Sequence, residues 1–386
     1  MQVFPQGRVS VKRPALICVC IVLGMLIVGL FPFGRPRNDV NWLTDTNGLS
    51  LTGRSFVLSQ GVFTTLTNTK EATRSLEFWL QPGRSNVSST ILAFSLPDVP
   101  NQLLLVQYGS SLIVTREKTG RRQRIGLANV FQQGKGVFVT VTAGSSNTDI
   151  YVNGVLAETF PGFRLAKDMT GRLVIGTAPE GDDNWHGELS GLAIYSQELT
   201  AEQVSRHYRT WTQRQHPEVS KAEGAIALYL FNEHAGDTVR NSVSPGINLV
   251  IPAQYYLVHQ KFLEPFWEEY RPNLRYWDDI VINIIGFIPL GFAYFALWSF
   301  IRPTKHPILC TLMLGFAVSL TIEVIQSVLP TRSSGTTDLI TNTLGTYLGV
   351  ELNRLGAIRN LIVKASGGLS PQMRRAQCFF SGRIVG

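Results

Sequence analysis

The chain has 386 residues, room for two or three domains, with 44% apolar residues and a formal net charge of +8. The charge is unevenly placed. Residues 34–279 carry 23 Lys/Arg against 24 Asp/Glu, which leaves 12 basic and 3 acidic residues, a net of +9, for the two ends. That split argues against nucleic acid as the main partner and for a topology signal beside anionic lipid headgroups. The four cysteines are Cys18, Cys20, Cys310 and Cys378. None falls in the middle of the chain, so that region needs no disulfide even if exported.

The N-terminus carries Arg8, Lys12 and Arg13, and residues 15–31 are uncharged and mostly apolar, the lower limit for a spanning helix. No small-x-small cleavage site follows, so the segment reads as an uncleaved anchor rather than a signal peptide. Cys18 and Cys20 sit early in this run, without the small residues that precede a lipidated cysteine; they read as packing thiols.

From Gly34 to about Pro252 the pattern changes to short strands, predicted over 75–80, 90–95, 102–107, 111–116, 137–143, 149–152, 172–177, 189–195 and 225–231. Asn153-Gly154, between Ile-Tyr-Val and Val-Leu-Ala, signals a type I′ hairpin. One helix interrupts the strands: Thr200-Ala-Glu-Gln203 forms a capping box, and Val204, Tyr208 and Trp211 line one face. The spacing predicts an all-β sandwich. Leu-Glu-Phe-Trp-Leu-Gln-Pro from Leu76, Ile-Tyr-Val-Asn-Gly from Ile150 and Trp-His-Gly-Glu-Leu-Ser-Gly-Leu-Ala-Ile-Tyr from Trp185 resemble the laminin G-like, concanavalin A-like jelly-roll family. Ala227-Leu-Tyr-Leu-Phe231 resembles a strand that usually opens such domains but comes late here, which leaves the strand order open.

Residues 255–276 hold Tyr255, Tyr256, Phe262, Phe266, Trp267, Tyr270 and Tyr276. Phe262, Phe266 and Tyr270 repeat at four, which suits a helix at the headgroup level; packing under the sandwich is the alternative.

Three further apolar segments follow, and they carry a small polar set. Asn283 stands in Asn-Ile-Ile-Gly-Phe-Ile-Pro-Leu-Gly-Phe; Glu323 and Gln326 are three apart; Arg332 is in a loop after Pro330; Asp338 and Asn342 are four apart. A carboxylate in hydrocarbon costs roughly 2.5–3.5 kcal/mol on insertion scales, so each needs a reason. The spacing puts each pair on one helix face and crowds all toward one side of a membrane. The order Asn-x-x-x-Phe-x-Pro-x-Gly-Phe, Glu-x-x-Gln, Arg, Asp-x-x-x-Asn-x-x-Gly resembles the VanZ-like family of small bacterial membrane proteins, over about 278–355. The resemblance implies an integral membrane protein. The founding member is linked to low-level teicoplanin resistance, without a settled biochemical activity.

The expected architecture is therefore multidomain, an all-β jelly-roll sandwich plus an all-α four-helix transmembrane bundle. Its parts are a cytoplasmic N-terminus (1–14), a first span (15–33), an extracytoplasmic jelly roll (34–253), an aromatic interfacial linker (254–279), spans at 280–301, 307–329 and 336–353, and a basic cytoplasmic tail (354–386). The basic N-terminus, Arg302 with Lys305, and a tail carrying Arg354, Arg359, Lys364, Arg374, Arg375 and Arg383 fix this orientation by the positive-inside rule.

Asn283, Glu323, Gln326, Arg332, Asp338 and Asn342 are the candidate site, read as a polar pocket for a lipid-linked or amphiphilic ligand; the bland alternative is a network that only holds helices together. Gly286, Gly345 and Gly349 read as close-packing positions. Glu180, Asp182 and Asp183 form a weak calcium set without recognisable ligand spacing, and otherwise no cofactor is indicated. Arg121, Arg122 and Arg124 sit near a hairpin loop and read as solvated. No phosphate loop, nucleophile elbow or zinc spacing appears. The partners implied are membrane lipids and a cell-envelope or lipid-linked glycan. The expected job is non-catalytic recognition in a bacterial plasma membrane, with relevance to glycopeptide resistance or polysaccharide export as its context. The rivals are an intramembrane enzyme with Glu323 or Asp338 as acid/base and a small proton-coupled transporter.

Overall fold

The structure is a computed structural model that describes residues 12–31, 36–64, 72–85, 87–118, 121–181, 183–214, 223–243, 246–270, 274–301, 303–329, 332 and 334–356. Residues 1–11, Asp182, Pro330 and the basic tail from 357 onward lie outside the described residues. The chain divides into two compact units: Gly34–Gln260, and Met1–Phe33 together with Lys261–Gly386.

The first unit is a two-sheet sandwich with, among the described residues, sixteen strands: β1 (Val40–Trp42), β2 (Leu49–Leu51), β3 (Val57–Phe63), β4 (Arg74–Pro82), β5 (Ser88–Ser95), β6 (Leu103–Tyr108), β7 (Ser111–Lys118), β8 (Arg121–Leu127), β9 (Val137–Ala143), β10 (Asn147–Val152), β11 (Val155–Pro161), β12 (Gly171–Ile175), β13 (Gly187–Tyr195), β14 (Ala225–Tyr229), β15 (Thr238–Val239) and β16 (Leu249–Val250). One sheet runs β1-β2-β13-β4-β9-β10-β11, with β14 also pairing β13; the other runs β15-β16-β3-β12-β5-β6-β7-β8. All named strand pairs are antiparallel. The late strand β14 lies beside the second half of β13, while β2 takes the first half along the same edge.

Alternation explains the layers. Leu76, Phe78 and Leu80 of β4 face Leu92, Phe94, Leu103 and Leu105 in the inter-sheet core. Glu77, Trp79 and Gln81 therefore point to the outer face. There α2 (Ala201–Arg214) lays Val204 and Trp211 on Phe138, Tyr151 and Tyr195. Its first turn is closed by the capping box, Thr200 N to Gln203 Oε1 at 2.8 Å and Gln203 N to Thr200 Oγ at 3.3 Å. Asn153 and Gly154 join β10 to β11 with φ of 51° and 81°, both left-handed as a type I′ turn requires.

Buried amides fasten the sandwich. Asn38 donates to the Phe56 and Pro252 carbonyls and accepts from Phe56 N. Trp185 Nε1 donates to Gln107 Oε1 at 2.8 Å inside the core. Arg121, Arg122 and Arg124 lie exposed along β8, directly after its hairpin connection to β7; charge on an unpaired edge discourages pairing with another chain.

The second unit holds α1 (Lys12–Leu30), α3 (Phe266–Glu269), α4 (Leu274–Ala296, continued by a π-helical turn Leu297–Ile301), α5 (Pro307–Gln326) and α6 (Thr336–Arg354). Among the described residues three segments are long and apolar enough to cross a membrane: Arg13–Leu30, Tyr276–Ser299 and Pro307–Gln326. α6 is more polar. The helix expected from the Phe262, Phe266, Tyr270 repeat does not form; α3 is a single turn, because Pro265 opens it and Tyr270 leaves helical geometry. Phe262, Phe266, Trp267 and Tyr270 are exposed.

α4 and α6 cross closely. A Cβ at Gly345 or Gly349 would fall on the carbonyl oxygen of Ile284 or Ile288, and one at Gly291 on that of Thr346. Small residues of this kind let backbones touch. Gly286, read from the sequence as a packing position, instead faces open space, and Gly291 takes that role.

Candidate functional site

The polar residues of the helical unit form a connected seam. Ser319, Glu323 and Gln326 repeat along one face of α5 and are buried; Thr337, Asp338, Thr341 and Asn342 line the start of α6. Asn342 Nδ2 donates to Ser319 Oγ at 2.9 Å. Asn283, on α4, donates to Asp338 Oδ1 at 2.7 Å. Glu323, 1% exposed, accepts from the backbone N–H of Gly335 at 2.8 Å. Glu323 and Asp338 lie within electrostatic reach of each other, and Asp338 also of Glu269, Asp279 and Arg332.

Two expected members look elsewhere. Gln326 donates to the Gly29 carbonyl and Arg332, exposed, to the Phe31 carbonyl, both at 2.7 Å. They tie the end of α1, whose last carbonyls have no helical partner of their own. The structure thus joins Asn283 to Asp338 and sets Glu323 beside them. Gln326 and Arg332 serve the neighbouring helix terminus.

The sequence reading missed Glu264 and Glu269. Glu269 Oε2 accepts from Thr337 N at 3.0 Å, and the Glu264 carbonyl accepts from Thr336 N at 2.9 Å. With Glu323 on Gly335 N, the N–H groups of Gly335, Thr336 and Thr337 at the start of α6 are taken by this chain, two by carboxylates, where a helix dipole favours negative charge. The available signal was the pair of acids in the otherwise aromatic run Phe-Trp-Glu-Glu-Tyr. Thr337 Oγ and Asn342 Oδ1 are buried without a partner.

In the sandwich, two of the three calcium candidates are described. Asp183 accepts from Thr90 Oγ at 2.8 Å and from Ala178 N at 3.0 Å, and Glu180 accepts from Asn101. Asp182 lies outside the described residues. Among the described residues no group of three or more His, Cys, Asp or Glu could hold a metal ion.

A buried ionic cluster that no local pattern announced lies under α2. Glu77, fully buried on β4, accepts from Tyr195 OH at 2.7 Å and faces His207 Nδ1 at 3.0 Å; His207 Nε2 faces Glu223 at 3.1 Å. Burial alone would lower the His207 pKa, but the bonds and charges of Glu77 and Glu223 outweigh it and raise it. Tyr195 is pushed well up, by burial first and then by the Glu77 charge.

Cavities open on the sandwich among the described residues, and two of them are well defined. One, about 510 Å³, is bordered by Arg116 and Phe163. Arg116 is already used: it lies 4.5 Å over the Phe163 ring, bonds Gln123 and the Arg164 carbonyl, and pairs with Asp168 at 3.4 Å. The other, about 240 Å³, is lined by Asn47, Trp79, Gln81, Glu188, Ser190 and Trp211 among others. These residues span the chain from 47 to 211. The one readable sign was Leu-Ser-Gly-Leu at 189–192, which breaks two-residue alternation.

Comparisons with known proteins agree with two parts. A model described as VanZ/LLP1 matches residues 224–357, and one described as the concanavalin A-like lectin/glucanases superfamily, Laminin_G_3, matches residues 57–205. The VanZ/LLP1 match begins before the helices and takes in β14, β15 and β16. No curated protein matches the chain. Among solved structures, a Bacteroides ovatus protein to which carbohydrate binding is ascribed is similar at 18% identity and TM-score 0.40, over 54% of this chain and 58% of that one. The botulinum neurotoxin serotype D binding domain is similar at 19% identity and TM-score 0.37, over 47% and 46%. A SAP-like pentraxin from Limulus polyphemus is similar at 14% and TM-score 0.36, over 57% and 94%. The chain thus spans about half the length of the toxin binding domains it resembles.

Proposed function

The chain carries a VanZ-like domain and a concanavalin A-like domain, and from that pairing we propose a membrane-anchored, non-catalytic glycan-recognition protein of the bacterial envelope. The observation that carries it is the joining, in one chain, of a two-sheet sandwich matched by a lectin/glucanase superfamily model to three helices apolar enough to cross a membrane. In this reading α1, α4, α5 and α6 form a four-helix bundle in the plasma membrane. The sandwich lies outside and both termini lie in the cytoplasm, following the basic residues.

Binding is favoured over hydrolysis by the acids of the sandwich. Glycoside cleavage ordinarily needs two carboxylates flanking the scissile bond, roughly 5–9.5 Å apart. Glu77, Glu180 and Asp183 are engaged within the protein, and Glu188 is the sole acid among the residues lining its cavity. In the helical unit the polar seam bonds mainly to itself and to helix ends, as an anchoring network does. Its unpartnered Thr337 Oγ and Asn342 Oδ1 are where the hydroxyls of an amphiphilic or lipid-linked ligand would enter.

The test uses full-length protein in detergent on an array of envelope polysaccharides and lipid-linked glycans. The expected result is retention of at least one glycan, unchanged by Glu323→Gln or Asp338→Asn. Turnover of a lipid-linked glycan, or proton flux in vesicles, lost in those two variants would replace this reading with an enzyme or a transporter. A reporter at the C-terminus is expected to score cytoplasmic.

A further inference from the structure

The smaller sandwich cavity is built differently from the rest of the surface. Its floor is the outer face of β4 and β13, where Gln81 and Glu188 are direct cross-strand partners and Trp79 stands opposite Gly191. The register shifts between Leu189 and Gly191, so Ser190 is a bulge residue. Leu189 and Leu192 both enter the inter-sheet core. Ser190 and Gly191 therefore both lie on the outer face, which regular alternation forbids. Gly191 is needed there: a Cβ would overlap the Trp211 ring, which α2 holds against the strand.

The polar groups are unspent. Trp211 is 2% exposed, yet its Nε1 has no partner. A buried indole N–H left unpaired is costly, and buried Trp usually finds an acceptor. Asn47, Gln81, Glu188 and Ser190 are half-buried, and no hydrogen bond engages their side chains. A buried donor and four polar side chains around one cavity, none satisfied internally, is the arrangement of a binding site rather than of a core.

The chemistry selects the ligand. The half-buried Trp79 indole offers flat apolar surface for the C–H face of a ring, while the buried Trp211 contributes its N–H. Two amides, a hydroxyl and a carboxylate offer donors and acceptors at several angles, as vicinal hydroxyls require. Among the described residues Glu188 is the only charge lining the cavity, which disfavours phosphate, sulfate or acidic sugars. At about 240 Å³ the volume falls just below the roughly 300–1,000 Å³ of drug-sized sites, so it suits one ring, a chain end or a side branch.

We propose that the Trp79–Trp211 cavity is a saccharide site that takes one neutral sugar ring, with Gln81, Glu188, Ser190 and Asn47 bonding its hydroxyls and Trp211 Nε1 donating to one of its oxygens. The assignment rests on the glycan-recognition reading above and names the site within it.

The experiment titrates full-length protein in detergent with glucose, galactose, N-acetylglucosamine and mannose, with sialic acid and phosphocholine as charged controls. It follows tryptophan emission and ligand saturation-transfer signals. At least one neutral sugar is expected to bind saturably and to shift the emission. Gln81→Ala and Glu188→Gln are each expected to weaken it about tenfold, the loss of one good hydrogen bond, with unfolding curves unchanged. If the protein retains an envelope glycan with the same affinity in both variants, this assignment is wrong and the functional reading stands. If wild-type protein binds no glycan at all, both fall. Phosphocholine binding in the cavity in place of every neutral sugar also overturns the assignment.

Discussion

Replacing His207 by glutamine tests the ionic cluster that clamps α2 to the sandwich. His207 stands between Glu77 at 3.0 Å and Glu223 at 3.1 Å, and Tyr195 OH also bonds Glu77. His207 and Glu77 are 1% and 0% exposed on their side chains, so water cannot replace the lost partner. Removing one member of a buried pair costs about 3–5 kcal/mol. For a unit of this size about 1 kcal/mol moves Tm by about 2–4 °C, which gives a drop of roughly 6–20 °C. The sign with pH follows from the raised pKa of His207. An unfolded histidine titrates near 6.5, so the stabilisation is fully present below about pH 6.5 and is lost as pH rises through the higher folded value. Thermal unfolding of full-length protein in detergent, read by tryptophan emission at pH 5.5, 7 and 8.5, measures both effects. His207→Gln is expected to lower Tm most at pH 5.5 and to remove that part of the slope. Glu77→Gln added to it is expected to recover part of the loss, because the orphaned carboxylate is gone. A His207→Gln protein with wild-type Tm and wild-type pH dependence would refute the argument.

The α4–α6 crossing gives a second test: Gly345→Ala is expected to cost about 1–3 kcal/mol by forcing the Ile284 carbonyl aside, whereas Gly286→Ala, which faces open space, is neutral. Detergent-solubilised melting temperatures of the two variants compare them directly, and equal shifts would mean the crossing is looser than described. Asn283→Leu leaves Asp338 without its 2.7 Å donor and should destabilise by about 1–3 kcal/mol; in an Asp338→Asn background the same change should cost less, which a double-mutant cycle reads. Thr200→Ala opens the capping box of α2 and is expected to cost about 1 kcal/mol, seen as faster proteolysis around that helix.

Local chemistry was legible in the sequence, and long-range chemistry was not. The Asn153-Gly154 turn and the Thr200–Gln203 box depend on residues within a few positions, and both stand in the structure. The nine predicted strands alternate or are apolar throughout. The strands that escaped notice lack that signal. β8 is an edge with mostly exposed side chains, β1 and β2 are three residues long, β15 and β16 are two, and the inner strand β3 (Val57–Phe63) has its apolar run interrupted by Ser59-Gln60-Gly61. The Glu77–His207 contact spans 130 residues and the Trp79–Trp211 cavity draws on five separate segments. No spacing rule reaches that far.

The polar seam shows the same limit in the opposite direction. Its residues were conspicuous because charge in an apolar helix is costly, but their partners lie in segments that looked unremarkable. Glu269 comes from a one-turn helix and the Gly29 and Phe31 carbonyls from the end of α1. Once these partners are known, the N-terminus of α6 ceases to be an open anion site, since Glu323 and Glu269 already accept from Gly335 and Thr337. A phosphate headgroup would have to displace two carboxylates of the same sign from donors that hold them at 2.8 and 3.0 Å. Phosphate recognition there is therefore disfavoured by the protein's own charges. In the sandwich, Trp211 Nε1 and the half-buried Asn47, Gln81, Glu188 and Ser190 gather around one cavity, and this is why sugar recognition is proposed there, whereas the helical unit offers uncharged buried atoms such as Thr337 Oγ and Asn342 Oδ1.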